Sequence, residues 1–176
     1  MLRSRSIALS SLILVTSACG TSERPPASAA ARPSMTNVQP SVSAATFVAE
    51  DASIELFVIR SSELALQRSS SPRVHEFAQR MIDDHKGTSG QLSLEGRRLN
   101  LLPSATLAPG EQRMFETLEA SSQFDADYVR DQRSVHQRLV AMDKAYAASG
   151  ASPTLKPVAS AALSIEQRNL RLIAYL

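Results

Sequence analysis

The chain has 176 residues, with 19 Lys and Arg against 17 Asp and Glu, 43% hydrophobic residues, one cysteine and no tryptophan. That length suits one domain with appendages and excludes two ordinary ones, and a single cysteine excludes an internal disulfide. The basic residues are mostly arginines dispersed without interleaved aromatics, so the formal charge of +2 is no nucleic-acid footprint.

Residues 1–18 have the three parts of an export signal: Arg3 and Arg5, the apolar run Ile7 to Val15, and the small residues Thr16, Ser17 and Ala18. The run is too short to serve as a permanent transmembrane helix. Cys19 follows directly, where a bacterial lipoprotein peptidase requires a lipid-modified thiol. Cys19 is therefore the expected lipid-attachment residue, and acylation there suffices for stable anchoring. Gly20, rather than Asp, after the cysteine resembles the sorting signal for the outer membrane. Removing the signal takes away Arg3 and Arg5 and leaves 17 basic and 17 acidic residues. The expected location is thus the periplasmic face of a bacterial membrane, held by lipid rather than by charge.

Residues 19–44 are rich in Thr, Ser, Pro and Ala and nearly free of large apolar side chains. They cannot bury a core and read as a disordered tether, with a reach on the order of 25 to 30 Å if the segment behaves as a flexible coil.

Past Ala45 the apolar spacing becomes helical, and residues 45–176 form the expected domain. A first helix over about 45–69 places Phe47, Ile54, Val58, Ser61 and Ala65 on one face. Ser71 and Pro72 supply an N-cap and first-turn proline for a second helix, about 72–100, with Val74, Ala78, Met81, His85, Thr88, Leu92 and Leu99 inward. A short helix near 110–119 precedes a third long one over about 122–149, whose seam is Tyr128, Gln132, Val135, Leu139, Met142 and Tyr146. Gly150 is expected to end it in the C′ role. Ser152 and Pro153 repeat the cap-and-proline device for a last helix carrying Leu155, Val158, Ala162, Ile165, Asn169 and Leu172 on one face. The expectation is an all-α fold: a ferritin-like four-helix bundle of two hairpins joined by a longer crossover.

Two strings carry a resemblance. FAQRMIDDHK, Phe77 to Lys86, and FDADYVRDQRSVHQ, Phe124 to Gln137, resemble the second- and third-helix motifs of an exported bacterial family, domain of unknown function 4142, regarded as ferritin-like. FVAEDAS, Phe47 to Ser53, and SELAL, Ser62 to Leu66, also fit, so the resemblance covers roughly residues 46–174. It implies the fold and carries no settled activity. Two positions depart from the family pattern: Val58 stands where a glutamate is usual, and Asn169 where a histidine is usual.

His85 lies on the apolar face of the second helix and His136 one step from the seam of the third, so the two imidazoles can approach across the core. With Asp84 and Glu55 they are the candidate metal ligands, and a mononuclear zinc site from the two histidines, an aspartate and water is conceivable. A carboxylate-bridged di-iron site instead needs Glu-x-x-His pairs. Here Ile82 and Arg133 occupy the positions three before His85 and His136. The incomplete ligand set disfavours a metal and leaves no cofactor expected. A structural polar core of Asp84, His85, Asp125, Tyr128 and Asn169 is the preferred reading, and His75 is read as exposed.

No nucleophile constellation emerges, so catalysis is not expected. The favoured function is a non-catalytic, lipid-anchored envelope protein with an interaction or stress-tolerance role, an envelope partner or homo-oligomer, and no nucleic acid. The alternatives are a metal-binding or oxidative-chemistry protein and a carrier of a small apolar ligand.

Overall fold

The structure, a computed structural model, describes residues 41–176. The export signal, Cys19 and the tether up to residue 40 lie outside the described residues. Five helices follow in order: α1 (Ala44–Arg68), α2 (Pro72–Arg98), α3 (Pro109–Glu119), α4 (Phe124–Ser149) and α5 (Leu155–Ile173). The fold of the described residues is all-α. No helix among them is long and apolar enough to cross a membrane.

The two Ser-Pro devices behave differently. At the first, Ser71 Oγ accepts a hydrogen bond from the Val74 amide at 3.4 Å and Pro72 opens α2. This satisfies one of the donors that a helix start leaves unpaired. At the second, Ser152 Oγ bonds instead to Thr154 Oγ1 at 3.1 Å, and α5 begins at Leu155, after Pro153. Ser152 spends its amide on the hydroxyl of Tyr146, 3.2 Å away, whose ring stacks on Phe47 with centroids 3.9 Å apart.

Helix α2 stops at Arg98, short of the expected residue 100. Asn100 takes a left-handed φ of 57°, its amide bonds to the Arg97 carbonyl and the Leu101 amide bonds to the Gly96 carbonyl at 2.7 Å. These are the two bonds of a Schellman stop, with Asn in the usual glycine position. Leu99 consequently faces solvent, and Gly96 holds the buried seat.

A Cβ on Gly96 would lie 2.5 Å from the Leu101 carbonyl oxygen, whereas one on the exposed, mid-helix Gly90 would meet nothing within 4 Å. Gly96→Ala is therefore expected to cost about 1–3 kcal/mol through overpacking, and Gly90→Ala to stabilise by about 0.5–1 kcal/mol through helix propensity. Urea midpoints of the two variants check this; shifts of the same sign would contradict it.

Gly150 ends α4 with φ −58°, so the left-handed C′ role does not apply. Its glycine is required by space, since a Cβ there would meet the Tyr146 ring at 2.5 Å.

Helices α1 and α2 pack as one antiparallel hairpin and α4 and α5 as another, joined along α1–α4 and α2–α5, while α3 lies on α1 and α4. Arg68 ties α3 down by donating to the carbonyls of Glu119 and Ser121 at 2.6 and 2.8 Å. At the other end of α3, Glu111 accepts from Arg138 at 2.8 Å and from Ser53 Oγ at 3.1 Å. Burial raises the Glu111 pKa, but these donors outweigh it and hold the carboxyl below its usual value. The stabilisation from Glu111 is therefore complete above the unfolded carboxyl range and disappears as pH falls through the lower folded value. Glu111→Gln is expected to lose stability at pH 7 and to narrow its gap to wild type in acid; chemical denaturation at pH 7 and pH 3 tests it, and a constant gap would contradict it.

Two apolar clusters occupy the interior. One contains Phe57, Val58, Met81, Tyr128, Leu139 and Ile173, the other Phe47, Val48, Leu92, Tyr146, Leu155 and Ala159. Each long helix passes between them through buried polar residues: Asp51 and Glu55 on α1, His85 and Thr88 on α2, His136 and Asp143 on α4, and Glu166 and Asn169 on α5.

On α5, Leu155, Ala162 and Asn169 are buried as expected, while the other three inward positions are one residue out. Ala159, Glu166 and Ile173 are buried, and Val158, Ile165 and Leu172 are half-buried. The same displacement on α4 places Asp143 inside and leaves Met142 half-buried. His75 is half-buried rather than exposed, with Nε2 2.7 Å from the Ser69 carbonyl at the end of α1.

Candidate metal centre

Four helices each send one ionisable side chain to the same point. Glu55, His85, His136 and Glu166 are all at most 1% exposed. Glu55 Oε2 accepts from His85 Nδ1 at 2.9 Å, Thr88 Oγ1 at 2.7 Å and Ser89 Oγ at 3.1 Å. This ring of donors fixes the carboxylate and, through it, the His85 ring. His136 is fixed from its own helix: Nδ1 lies 2.7 Å from the Gln132 carbonyl, which can only accept, so Nδ1 carries the proton. The two remaining nitrogens, His85 Nε2 and His136 Nε2, face each other at 3.2 Å. Glu166 Oε2 stands 3.8 Å from the first and 3.6 Å from the second, and neither Glu166 oxygen has a hydrogen-bond partner among the described residues.

This arrangement demands a positive charge. With both Nδ1 atoms protonated and engaged, two neutral rings would oppose their Nε2 lone pairs at 3.2 Å, which is repulsive. The conflict is removed by a proton between them or by a cation. Burial lowers the His85 pKa, but the carboxylates of Glu55 and Glu166 raise it further, to about 9. Burial and the charge on His85 push His136 down to about 3, so one proton serves the pair. Glu166, buried, is pushed up to about 7.

A cation fits as well as a proton. Two nitrogens bound tetrahedrally at about 2.0–2.1 Å stand roughly 3.4 Å apart, close to the observed 3.2 Å. Among the described residues, His85, His136 and Glu166 form a group whose ligating atoms lie within 4.8 Å of one another. Glu55 and the Gln132 carbonyl hold the two rings from behind, the outer-sphere support that metal-ligating histidines usually have.

Of the candidates drawn from the sequence, Glu55, His85 and His136 meet. Asp84 does not: its Oδ2 accepts from Arg168 at 2.8 Å at the half-exposed α2–α5 boundary. A charge paired there acts on His85 only at a distance. Asp125 is half-buried in the first turn of α4, outside this centre. Tyr128 is buried and hydrogen-bonds Ser62 at 2.8 Å, and burial raises its pKa despite that bond. Asn169 is buried with both side-chain polar atoms unpartnered among the described residues. Val58 lies in the apolar cluster, and Glu55, one turn earlier, supplies the α1 carboxylate.

The family described as "Domain of unknown function (DUF4142)" matches the chain over residues 25–174. The chain belongs to this family. No curated protein matches it. Among solved structures, this DUF4142 chain is similar to CopM in the Cu(II)-bound form, at 15% identity and a TM-score of 0.65 over 77% of this chain and 96% of that one. CopM in the apo form gives 15% and 0.62 over 76% and 95%. A DUF305 fragment from Deinococcus radiodurans gives 17% and 0.63 over 74% and 92%. At these identities the likeness is one of helical fold.

Sequence reasoning missed Glu166, Asp143 and Asp51. A signal for Glu166 was present: Glu166 and Asn169 have the i, i+3 spacing of the Glu-x-x-His pair that di-metal bundles use, with Asn in the histidine position. Assigning Ile165 to the seam turned Glu166 outward and hid it.

Proposed function

We propose that this DUF4142 chain is an exported protein, lipid-anchored through Cys19 at the periplasmic face of the outer membrane, whose ferritin-like four-helix core holds a divalent transition-metal ion on His85, His136 and Glu166. The observation that carries this reading is the pair of imidazole Nε2 atoms 3.2 Å apart, with both Nδ1 atoms already engaged and a partnerless buried carboxylate beside them. Two nitrogens and a carboxylate suit a borderline ion such as Zn2+ or Cu2+. CopM, whose solved forms include Cu(II)-, Cu(I)- and Ag-bound ones, gives a fold precedent for metal capture.

Holding an ion at the membrane surface is itself a stress-tolerance role, and it requires no catalysis. Membrane attachment by lipid and an envelope partner or homo-oligomer belong to the same proposal, with no nucleic acid. Mass spectrometry of the mature N-terminus tests the anchor; an unacylated Cys19 would overturn it.

Purified without chelator, the mature protein is expected to carry roughly one metal ion per chain, and His136→Ala to carry far less. Substoichiometric zinc, copper, iron and manganese in the wild type would defeat the reading. A second reading rests on the His85 pKa of about 9: a buried imidazolium donating to His136 and locking helix register. It predicts no response to metal. An apolar-ligand carrier has less support, because clefts such as that beside Arg138 and Met142, about 390 Å³, open on solvent.

A further inference from the structure

The charges of the mature chain cancel in number but not along the bundle. Because α1 and α2 run antiparallel, as do α4 and α5, one end gathers the N-termini of α1 and α5 with the C-termini of α2 and α4. There the Ala151 amide donates to the Val42 carbonyl at 3.2 Å, Phe47 stacks on Tyr146, and Leu101 packs on their cluster. Residues 41–49, 96–110 and 144–160 build this end, and they include Arg97, Arg98, Lys144 and Lys156 but no acidic residue. Arg98 pairs with Glu95. Arg97 and Lys156 reach only the neutral carbonyls of Ser93 and Ala148, so no ion pair among the described residues compensates them. At the opposite end, Glu63, Glu76, Glu116, Glu119, Asp125 and Asp127 outnumber Arg68, Arg73, Arg130 and Arg171.

The basic end also carries exposed apolar side chains. Of the large ones exposed among the described residues, Val42, Leu94, Leu99 and Leu102 lie within about a helical turn of it, and the others are Tyr175 and Leu176. Their exposure is built in. The left-handed turn at Asn100 sends Leu99 outward, and Leu101, packed on the Phe47 cluster, holds the loop that presents Leu102, 75% exposed. Single exposed leucines are ordinary, but several gathered beside unpaired cations mark an interaction site. A bilayer interface takes such a surface without shape complementarity: apolar tips enter the headgroup boundary and cations meet anionic phosphates. The segment from Cys19 joins the domain at this same end, at residue 41.

We propose that this end of the bundle rests on an anionic lipid surface, with Leu99 and Leu102 in the headgroup boundary and Arg97, Lys144 and Lys156 at lipid phosphates. The bundle then stands on its basic end, with its acidic end turned away. The proposal rests on the membrane-anchored reading for its setting, but the contact itself needs no acyl chain.

The chain has no tryptophan, so a single introduced one reports its own surroundings. The mature chain, carrying Cys19→Ser so that no lipid is attached, is compared as Leu102→Trp and as Tyr175→Trp, the latter position 73% exposed at the opposite end. On vesicles of equal parts phosphatidylcholine and phosphatidylglycerol, the emission of Leu102→Trp is expected to move to the blue and that of Tyr175→Trp to stay. Phosphatidylcholine alone is expected to move neither. Adding Arg97→Gln/Lys156→Gln to Leu102→Trp is expected to weaken vesicle binding by roughly tenfold or more, each cation near an anionic surface contributing about fivefold; far-UV circular dichroism checks folding. No shift in Leu102→Trp, equal shifts at both positions, an equal shift on the neutral vesicles, or binding indifferent to the lost cations would overturn the lipid contact. So would a blue shift that follows protein concentration without vesicles, which would make this end a face between copies of the chain. Cys19 is replaced throughout, so these results leave the anchor to be decided separately by the mass of the native N-terminus.

Discussion

Saturating Zn2+ is expected to raise the melting temperature of the wild-type protein by on the order of 10 °C, and the rise is expected to vanish in His136→Ala. An ion that binds only the folded chain adds about 4 kcal/mol at a thousandfold excess over Kd, and each kcal/mol moves the midpoint of a domain this size by several degrees. The site exists only in the folded state because its ligating side chains come from α2, α4 and α5. His136 is the informative position. Its Nδ1 bond is to its own helix and its Nε2 faces His85, so truncation removes a ligand and, in the metal-free protein, the acceptor of the His85 proton. The quantity to compare is the Zn2+-induced shift, measured by differential scanning calorimetry with and without chelator, since the variant's metal-free stability can differ. A wild-type midpoint that ignores Zn2+, or a full shift surviving in His136→Ala, would refute the metal centre.

The second large effect separates the two buried glutamates with the metal removed. Glu55→Ala strips the acceptor from His85, Thr88 and Ser89 together and strands the His85 imidazolium in the interior. Breaking a buried pair in this way costs about 3–5 kcal/mol, a large part of the 5–15 kcal/mol that typically holds a domain. Glu166→Gln is expected to leave the metal-free midpoint unchanged or raised, because Glu166 has no hydrogen-bond partner to lose and its pKa is already pushed to about 7. It should nevertheless abolish the Zn2+ response. Urea unfolding in chelator measures both variants. Strong destabilisation by Glu166→Gln would make Glu166 a structural partner rather than a ligand.

Much of the architecture was written in local chemistry. Helical apolar spacing fixed α1 to within a residue, and the serine run followed by Ser71-Pro72 placed the first hairpin turn where it is found. Where boundaries moved, tertiary contacts had overridden the local signal. Ser152 serves Tyr146 instead of capping α5, and Asn100 turns the chain so that Gly96 replaces Leu99 inside.

The candidate centre was half legible. His85 showed itself as a histidine on an apolar face, and Glu55 as the carboxylate nearest the unexpected Val58. Asp143 and Glu166 stayed hidden because apolar neighbours, Met142 and Ile165, offered a more conventional seam one residue away. Hydrophobic periodicity assigns the interior to apolar side chains, and so it misplaces a helix whose buried stripe is deliberately polar. Asp84 failed in the opposite sense: adjacency to His85 in sequence places it about 100° around the helix, where Arg168 meets it.

The convergence of Glu55, His85, His136 and Glu166 from four separate helices has a further consequence. No two of these residues are neighbours in the chain: the α1–α2 hairpin brings Glu55 to His85 and the α4–α5 hairpin brings His136 to Glu166, so the ligand set is completed only when the two hairpins dock. Full coordination therefore comes only with assembly, and an ion held at these buried atoms would leave through an opening between helices. Residence time would then be set by how often the least firmly docked helix opens, a property of the scaffold rather than of the ligand bonds.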